Sequence, residues 1–266
     1  TSVVIGAATA RREFPTLDTP VLSFFDASPV KNVDARKQRM TLRHLLTMTA
    51  GLEWREDLPY DDPKNSCGLM EASFDWVRFA VDQPMSDEPG ARFNYNSGAT
   101  QILAHVFRKA TGHDVEEYAA RHLFTPLGIE RWFWKRTPTG LADTEGGLYL
   151  RPRDLAKIAY LFLKDGQWEG RAVVEPGWVK DSVAPSTTVA DGVRYGLKWW
   201  LVRHSRDKWA FAGSGFGGQR PIVVPEHDLV MVFTGWNIPG GEPSLTAPVA
   251  IERVLAALAA PGVSNR

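Results

Sequence analysis

One cysteine stands among the 266 residues, so Cys67 has no internal disulfide partner and pairing says nothing about redox compartment. Its neighbours Lys64-Asn65-Ser66 and Gly68 assemble no base beside it, and a small, partly buried structural residue is the reading that fits. There is no excess of either charge. Thirty-one basic against 31 acidic side chains leave no basic field to draw nucleic acid. No apolar run reaches the length of a bilayer span, because charges interrupt every segment. The six histidines, His44, His105, His113, His122, His204 and His227, share no metal-ligand spacing and no evident aspartate partner, which argues against a zinc site. Internal repeats and low-complexity segments are lacking, and so is a methionine at position 1. Thr1 to Ala10 is small and apolar on almost every side, with no cap before it. It reads as the continuation of a helix begun further upstream, so the N-terminal part of the fold is expected to lie outside this sequence, and localisation stays open.

What is there describes one large or two interleaved domains, 44% hydrophobic and 11% aromatic. Pro15 and Pro20 punctuate a connection into a short turn, Val21 to Phe25, and Asp26 to Gln38 reads as a charged surface loop with at most a marginal helix. Thr41 is placed to cap a helix from Leu42 to Met48 that Gly51 ends. A long irregular stretch follows through Cys67, and loops of that length are usually functional or mobile. Phe74, Val77 and Val81 mark one side of a surface helix. Pro89-Gly90-Ala91-Arg92-Phe93-Asn94-Tyr95-Asn96-Ser97-Gly98 is a turn in which Ser97 sits where an N-cap belongs. From Ala99 the pattern Ile102, Leu103, Val106, Phe107, Ala110 then repeats at helical spacing until Gly112. Asp114 with Glu117 at N3 forms an acidic capping box, Pro152 opens a helix through Lys164, and a short helix starts at Pro176. Beyond these, Tyr195 to Val202, Trp209 to Gly213, Gln219 to Val224 and Leu229 to Thr234 are β-branched and aromatic runs that should form an antiparallel meander. A final helix, Pro248 to Ala259, would cross it. Helices ahead of an antiparallel sheet give an α+β arrangement, a mostly helical lobe against a sheet lobe.

Two stretches are candidates for chemistry. Tyr95 is either a half-buried turn aromatic bonded to backbone or a catalytic residue whose rotamer is fixed by the buried helix after it. The loop Gly213-Ser214-Gly215-Phe216-Gly217-Gly218 is either a plain bulged hairpin or a place where a backbone N–H approaches a substrate closely, as an oxyanion hole requires. It is not a phosphate cradle, because a strand rather than a helix follows it. Ser214 is not a nucleophile of the elbow type, since Ala212 stands where that turn needs glycine. Ser28-Pro29-Val30-Lys31 spells a serine-lysine pair three apart, but in a charged segment with no apolar periodicity to desolvate the lysine, so it reads as a chance match.

Taken together, Leu17-Asp18-Thr19-Pro20-Val21, Thr41-Leu42-Arg43-His44-Leu45-Leu46-Thr47-Met48-Thr49-Ala50-Gly51-Leu52, Pro89 to Tyr95, Leu127-Gly128-Ile129 and Gly147 to Ala156 resemble the serine hydrolases that share the β-lactamase and penicillin-binding-protein fold. That family includes class C β-lactamases, related esterases and 6-aminohexanoate-dimer hydrolases. The likeness runs along nearly the whole chain. It implies a serine in a Ser-x-x-Lys motif that is acylated, a tyrosine of a Tyr-x-Asn or Tyr-x-Ser motif that shuttles the proton, and a strand that lines the other wall. Tyr95-Asn96-Ser97 matches the second motif in its serine form, as in the aminohexanoate-dimer branch. Phe211-Ala212-Gly213-Ser214 falls at the third, so the likeness implies that Ser214 N–H is half of the oxyanion hole. Two departures stand out. The strand motif lacks its lysine, which favours an ester or amide substrate over a β-lactam, and the Ser-x-x-Lys motif is absent, its place in the family being just ahead of the segment matching Thr1 to Ala10.

The expectation is therefore a serine hydrolase of small-molecule esters or amides, working through an acyl-enzyme with no metal or organic cofactor and no nucleic-acid or membrane partner. Tyr95 and Ser214 are the catalytic groups, and Ser97, Asn96, Trp54, Gly213 and Gly215 the substrate-binding ones. The competing readings are a catalytically inactive relative that keeps the pocket for binding, and a β-lactamase or DD-peptidase. Residues 1–20 are read as the rest of the helix after the absent motif, 21–185 as the mostly helical lobe with the Tyr95 motif, and 186–266 as the strands and C-terminal helix of the sheet lobe. Oligomeric state is not legible.

Overall fold

The computed structural model describes residues 1–25, 29–235 and 245–259. The first segment is helix α1 (Ser2–Ala10), apolar all round and accordingly buried from Ser2 to Ala8. A 3-10 turn at Val21–Phe24 follows. Then come the short helices α2 (Ala35–Gln38), α3 (Leu42–Leu46), α4 (Ser66–Glu71) and α5 (Trp76–Val81), and the 15-residue helix α6 (Ser97–Thr111). Helix α6 stops at Gly112, whose φ of 75° supplies the left-handed residue that ends a helix without a Cβ clash. Helix α7 (Val115–Ala119) continues as a π-type segment, Ala120–Phe124.

Strand β1 (Trp132–Trp134) pairs with β2 (Leu148–Leu150) in a small antiparallel ribbon, ahead of helix α8 (Pro152–Leu163) with Pro152 at its first turn. A second ribbon pairs β3 (Gln167–Trp168) with β4 (Arg171–Ala172), and α9 (Pro176–Ser182) leads into the main sheet. Its strands are β5 (Thr187–Ala190), β6 (Val193–Tyr195), β7 (Trp200–Ser205), β8 (Lys208–Ala212), β9 (Arg220–Val224) and β10 (Leu229–Phe233). They pair consecutively and antiparallel, which is the expected meander. Helix α10 (Ala247–Ala259) crosses β7 and β9.

The two-residue period of the strands divides the sheet between two cores. Phe211 and Val223 point into the main core with α1, α6 and α8. Ala210, Ala212, Ile222 and Val224 meet Ala247, Ala250 and Ile251 under α10.

Four local expectations are corrected. The run Tyr195 to Val202 is two strands, because the chain turns over residues 196–199 with Lys198 at φ +66° and Gly196 N–H on Trp199 O at 2.9 Å. The irregular stretch before Cys67 ends in α4, which Asn65 caps through bonds from Cys67 N–H and Gly68 N–H. Phe74 lies 75% exposed ahead of α5, whose core-facing residues include Trp76, Val77 and Val81. Asp114 caps α7 by accepting from Glu116 N–H, while Glu117 turns away to His113 and Arg121. Ser28 of the serine-lysine match lies outside the described residues.

The charged segment ahead of α3 hides one surprise. Lys37 is fully buried, and its ammonium donates to Lys31 O at 2.9 Å, Val81 O at 2.9 Å and Gln83 O at 2.6 Å. Burial pulls its pKa below the ordinary lysine value, with Asp82 and Asp34 offsetting part of that effect. Removing the amine leaves three carbonyls without their donor, so Lys37→Met is expected to lower stability by about 3 kcal/mol in urea titration; a change of a few tenths would show that water replaces the amine.

Candidate active site

Tyr95 is held from both sides. Asn94 N–H donates to Met48 O at 2.8 Å and its side-chain amide to Trp54 O at 3.1 Å, which fixes the backbone just before the tyrosine. The half-buried ring of Tyr95 stacks on Trp200, with centroids 5.8 Å apart and planes 24° apart. Trp200 opens β7, and its partner in register is Ala212 of β8, two residues before Ser214. The ring therefore lies against the strand beside the one that runs into the glycine loop. Burial first, and then the charges of Glu56, Glu145 and Cys67, hold the phenol well above its ordinary pKa. At neutral pH it is a proton donor.

The residues after Tyr95 divide their tasks differently from the sequence expectation. Asn96, not Ser97, caps α6, its Oδ1 accepting from Ala99 N–H at 2.8 Å. At 2% exposure and with that oxygen engaged, it presents no surface to a substrate. Ser97 is also buried, and its hydroxyl donates to Glu56 Oε1 at 2.6 Å. Glu56 accepts three further bonds: Ser97 N–H at 2.8 Å, Trp54 Nε1–H at 2.7 Å and Tyr60 O–H at 3.0 Å. Trp54, 5% exposed, is packed under α6 instead of lining an open pocket. Gly98 makes room for it, since a Cβ there would fall 2.7 Å from the indole.

The glycine loop is a hairpin, and some of its N–H groups are used internally. Gly213 donates to Pro221 O at 3.0 Å and Gly215 to Gln219 O at 2.8 Å, so both of these N–H groups are engaged within the hairpin. Ser214 lies between them, exposed, and its N–H has no partner among the described residues. Beyond it, Phe216 meets Tyr60 edge to face at 5.0 Å, both rings substantially exposed, so the glycine loop and the Glu56 loop touch. Glu56, Tyr60, Trp200 and Phe216 were not singled out from sequence. The long loop before Cys67 was the one signal that pointed towards two of them.

Cys67 is buried behind this cluster. Its Sγ lies 3.8 Å from Glu145 Oε2, and the ligand atoms of Cys67, Glu71 and Glu145 all fall within 4.8 Å of one another. These are the side chains that could approach a cation. Glu145 instead bonds to Glu71, and burial, that bond and the charges of Asp143, Glu71 and Glu56 push its carboxyl up to about 8. Burial, followed by the surrounding carboxylates, raises the Cys67 thiol well above its ordinary value, which makes it a poor nucleophile.

The chain as a whole has relatives of known family. The Beta-lactamase family profile matches residues 1–248, and the chain is a member of that family. It is 26% identical over 217 residues to the 6-aminohexanoate-dimer hydrolase of Paenarthrobacter ureafaciens, covering 73% of this chain and 54% of that protein. It is 30% identical over 123 residues to a monacolin J acid methylbutanoyltransferase of Aspergillus terreus, covering 46% of this chain and 30% of that protein. The chain thus spans about half the length of the hydrolase and less of the transferase. Among solved structures, an octameric penicillin-binding protein homologue from Pyrococcus abyssi superposes with a TM-score of 0.72 at 20% identity, over 96% of this chain and 63% of that one, which shows the shared fold.

Two outcomes follow from the geometry. Two of Glu56's four donors are hydroxyls that can rotate to accept, so Glu56→Gln is expected to lose under about 1 kcal/mol in chemical denaturation and Glu56→Ala about 3 kcal/mol; equal losses would refute the clamp. Because Glu145's carboxyl is raised in the fold, the native state holds its proton more tightly than the unfolded chain does. Its contribution to stability is therefore present below pH 4.5 and lost as pH rises towards about 8. Thermal melts across that range should show the decline in the parent protein and a flatter profile in Glu145→Gln.

Proposed function

We propose that this chain carries the proton-transfer and oxyanion groups of a serine hydrolase that cleaves an ester or amide through an acyl-enzyme. The observation that supports it most is the pairing of a rigidly held, protonated Tyr95 with an unengaged Ser214 N–H on the adjoining strand loop. The acyl-accepting serine is the one that the family likeness places ahead of Thr1. In the proposed reaction it attacks the carbonyl, Ser214 N–H donates to the oxygen as charge develops there, and Tyr95 relays the proton to the leaving group before water releases the acid. Ser97 and Glu56 act as positioning residues for Tyr95, since neither needs to touch the substrate to hold the turn in place. The amide-dimer hydrolase among the relatives supports an amide or ester substrate, as does the absence of a lysine in the strand motif.

The test is ester hydrolysis by the full-length protein. Tyr95→Phe keeps the ring stack and is expected to lower kcat by roughly 10²- to 10⁴-fold. Ser214→Pro removes the N–H and should cost about 10²-fold or more, while Ser214→Ala should be nearly silent. A wild-type protein that turns over no p-nitrophenyl ester and takes no fluorophosphonate label would favour the binding-protein reading.

A further inference from the structure

A cavity of about 480 Å³ opens where the ends of α1 and α6 meet α7. Arg12 and Glu13 line it from beyond the last turn of α1, Thr111 from the end of α6, and Arg121 and His122 from the π-type continuation of α7. Ala110 is the one lining residue whose side chain carries no hydrogen-bonding group. The acids here are already engaged. Glu13 accepts the Tyr118 hydroxyl, and Glu117 pairs with His113 Nδ1 at 3.2 Å and with Arg121 Nη2 at 3.6 Å. The cations are not. Among the described residues neither the Arg12 guanidinium nor the His122 ring has a hydrogen bond or an ion pair, and Arg121 has only that one long contact. The His122 ring rests on Tyr118, with centroids 4.4 Å apart. Burial, then the charge of Arg11, with Glu13 opposing and Arg121 and His113 adding to it, pulls that ring below its ordinary pKa, so the local field is positive.

Arg12 also holds a conformation that side chains avoid. Glu13 N–H bonds to Ala8 O at 3.0 Å and Arg12 N–H to Thr9 O at 2.9 Å, which closes α1 with Arg12 at φ +60°. Glycine is the residue that ordinarily takes this position, because it has no Cβ to strain. Closing the helix therefore gives no reason for an arginine here, and an acceptor in the cavity does. The planar fork of a guanidinium matches the paired oxygens of a phosphate or carboxylate. Two free cations and a third half engaged call for a double charge, and a phosphate monoester carries about −1.5 to −2 at neutral pH. A cavity of about 150 Å³ already takes benzene, so this one has room for a small group beyond the phosphate. Its polar wall suits a hydroxylated group and not an acyl chain.

We propose that this cavity binds the phosphate monoester of a small polyol or sugar, the phosphate on Arg12, His122 and Arg121 and the hydroxyls towards Thr111 and Glu13. A neutral imidazole still offers one N–H, so His122 can donate to the phosphate without being charged. The cavity lies at the opposite end of α6 from Ser97, about 20 Å along the helix axis, and the inference does not require the hydrolase reading.

The experiment is calorimetric titration of the full-length protein with glycerol 3-phosphate at about pH 7.5 and low salt, where the phosphate is mostly a dianion. Lactate serves as the monoanion, succinate as the dicarboxylate and glycerol as the uncharged polyol. Glycerol 3-phosphate should saturate with a Kd of about 1 mM or tighter, roughly tenfold or more below that of any of the three controls. Arg12→Gly suits the φ of +60°, so it should keep or raise the melting temperature while weakening binding about tenfold or more. His122→Phe keeps a ring on Tyr118 and should weaken binding by a smaller factor. The proposal is overturned if wild-type protein shows no saturable binding of glycerol 3-phosphate, if lactate or succinate binds as tightly, or if the Arg12→Gly protein binds it equally well. No turnover enters these measurements, so they can fail while the hydrolase reading stands, and the reverse.

Discussion

The placement of the candidate site depends on one carboxylate. Glu56 gathers Trp54, Tyr60 and both donors of Ser97, from segments 41 residues apart, onto two oxygens. Its position at the head of α6 is favourable for a second reason, because the first turn of a helix has N–H groups without partners and the positive end of the helix dipole. Asn96 satisfies one of those donors and Glu56 another. The loop after Gly51 is thereby fastened to the helix that follows Tyr95, and the tyrosine is held between a clamped turn on one side and Trp200 on the other.

The sheet is attached to the helices at the same level. Lys198 bonds through its backbone to Leu46 and through its side chain to Thr100, one turn into α6. Trp200, two residues on, carries both the Tyr95 stack and contacts to Phe93 and Tyr195. A helical wall and a strand keep a fixed separation only if they are tied together, and these contacts tie α3 and α6 to the start of β7.

Much of this architecture was legible because it is local. The spacing of Ile102, Leu103, Val106 and Phe107, the glycine at 112 and the proline at 152 report helices by rules that operate within a few residues, and the β-branched runs do the same for β8 to β10. The family likeness added the tyrosine motif. What escaped was decided by distant partners. Glu56 is one acid in a polar loop until α6 folds beside it, and Asn96 and Ser97 are equally good caps until that acid claims the serine. Lys198 gives no turn signal, since lysine is rarely found at positive φ and only the surrounding bonds hold it there. Lys37 reads as solvated until three carbonyls converge on it.

The charges around Tyr95 also constrain the chemistry that its position suggests. With its burial and the charges of Glu56 and Glu145 acting on it, the phenol resists ionisation, so it is suited to giving a proton and poorly suited to starting as a base. In the proposed acyl transfer it therefore enters as the neutral acid. To accept a proton from a serine it must pass its own onward in the same step, which calls for a neutral base within reach. A lysine ahead of Thr1, as the family likeness implies, would meet that need only if something keeps it uncharged. On the strand side of the same region burial lowers the Lys198 amine to about 7, and the same desolvation would act on a second amine held there. On this reading burial and the nearby carboxylates keep the tyrosine protonated, and burial alone favours a neutral amine as its acceptor, so desolvation acts on both ends of the proposed proton path.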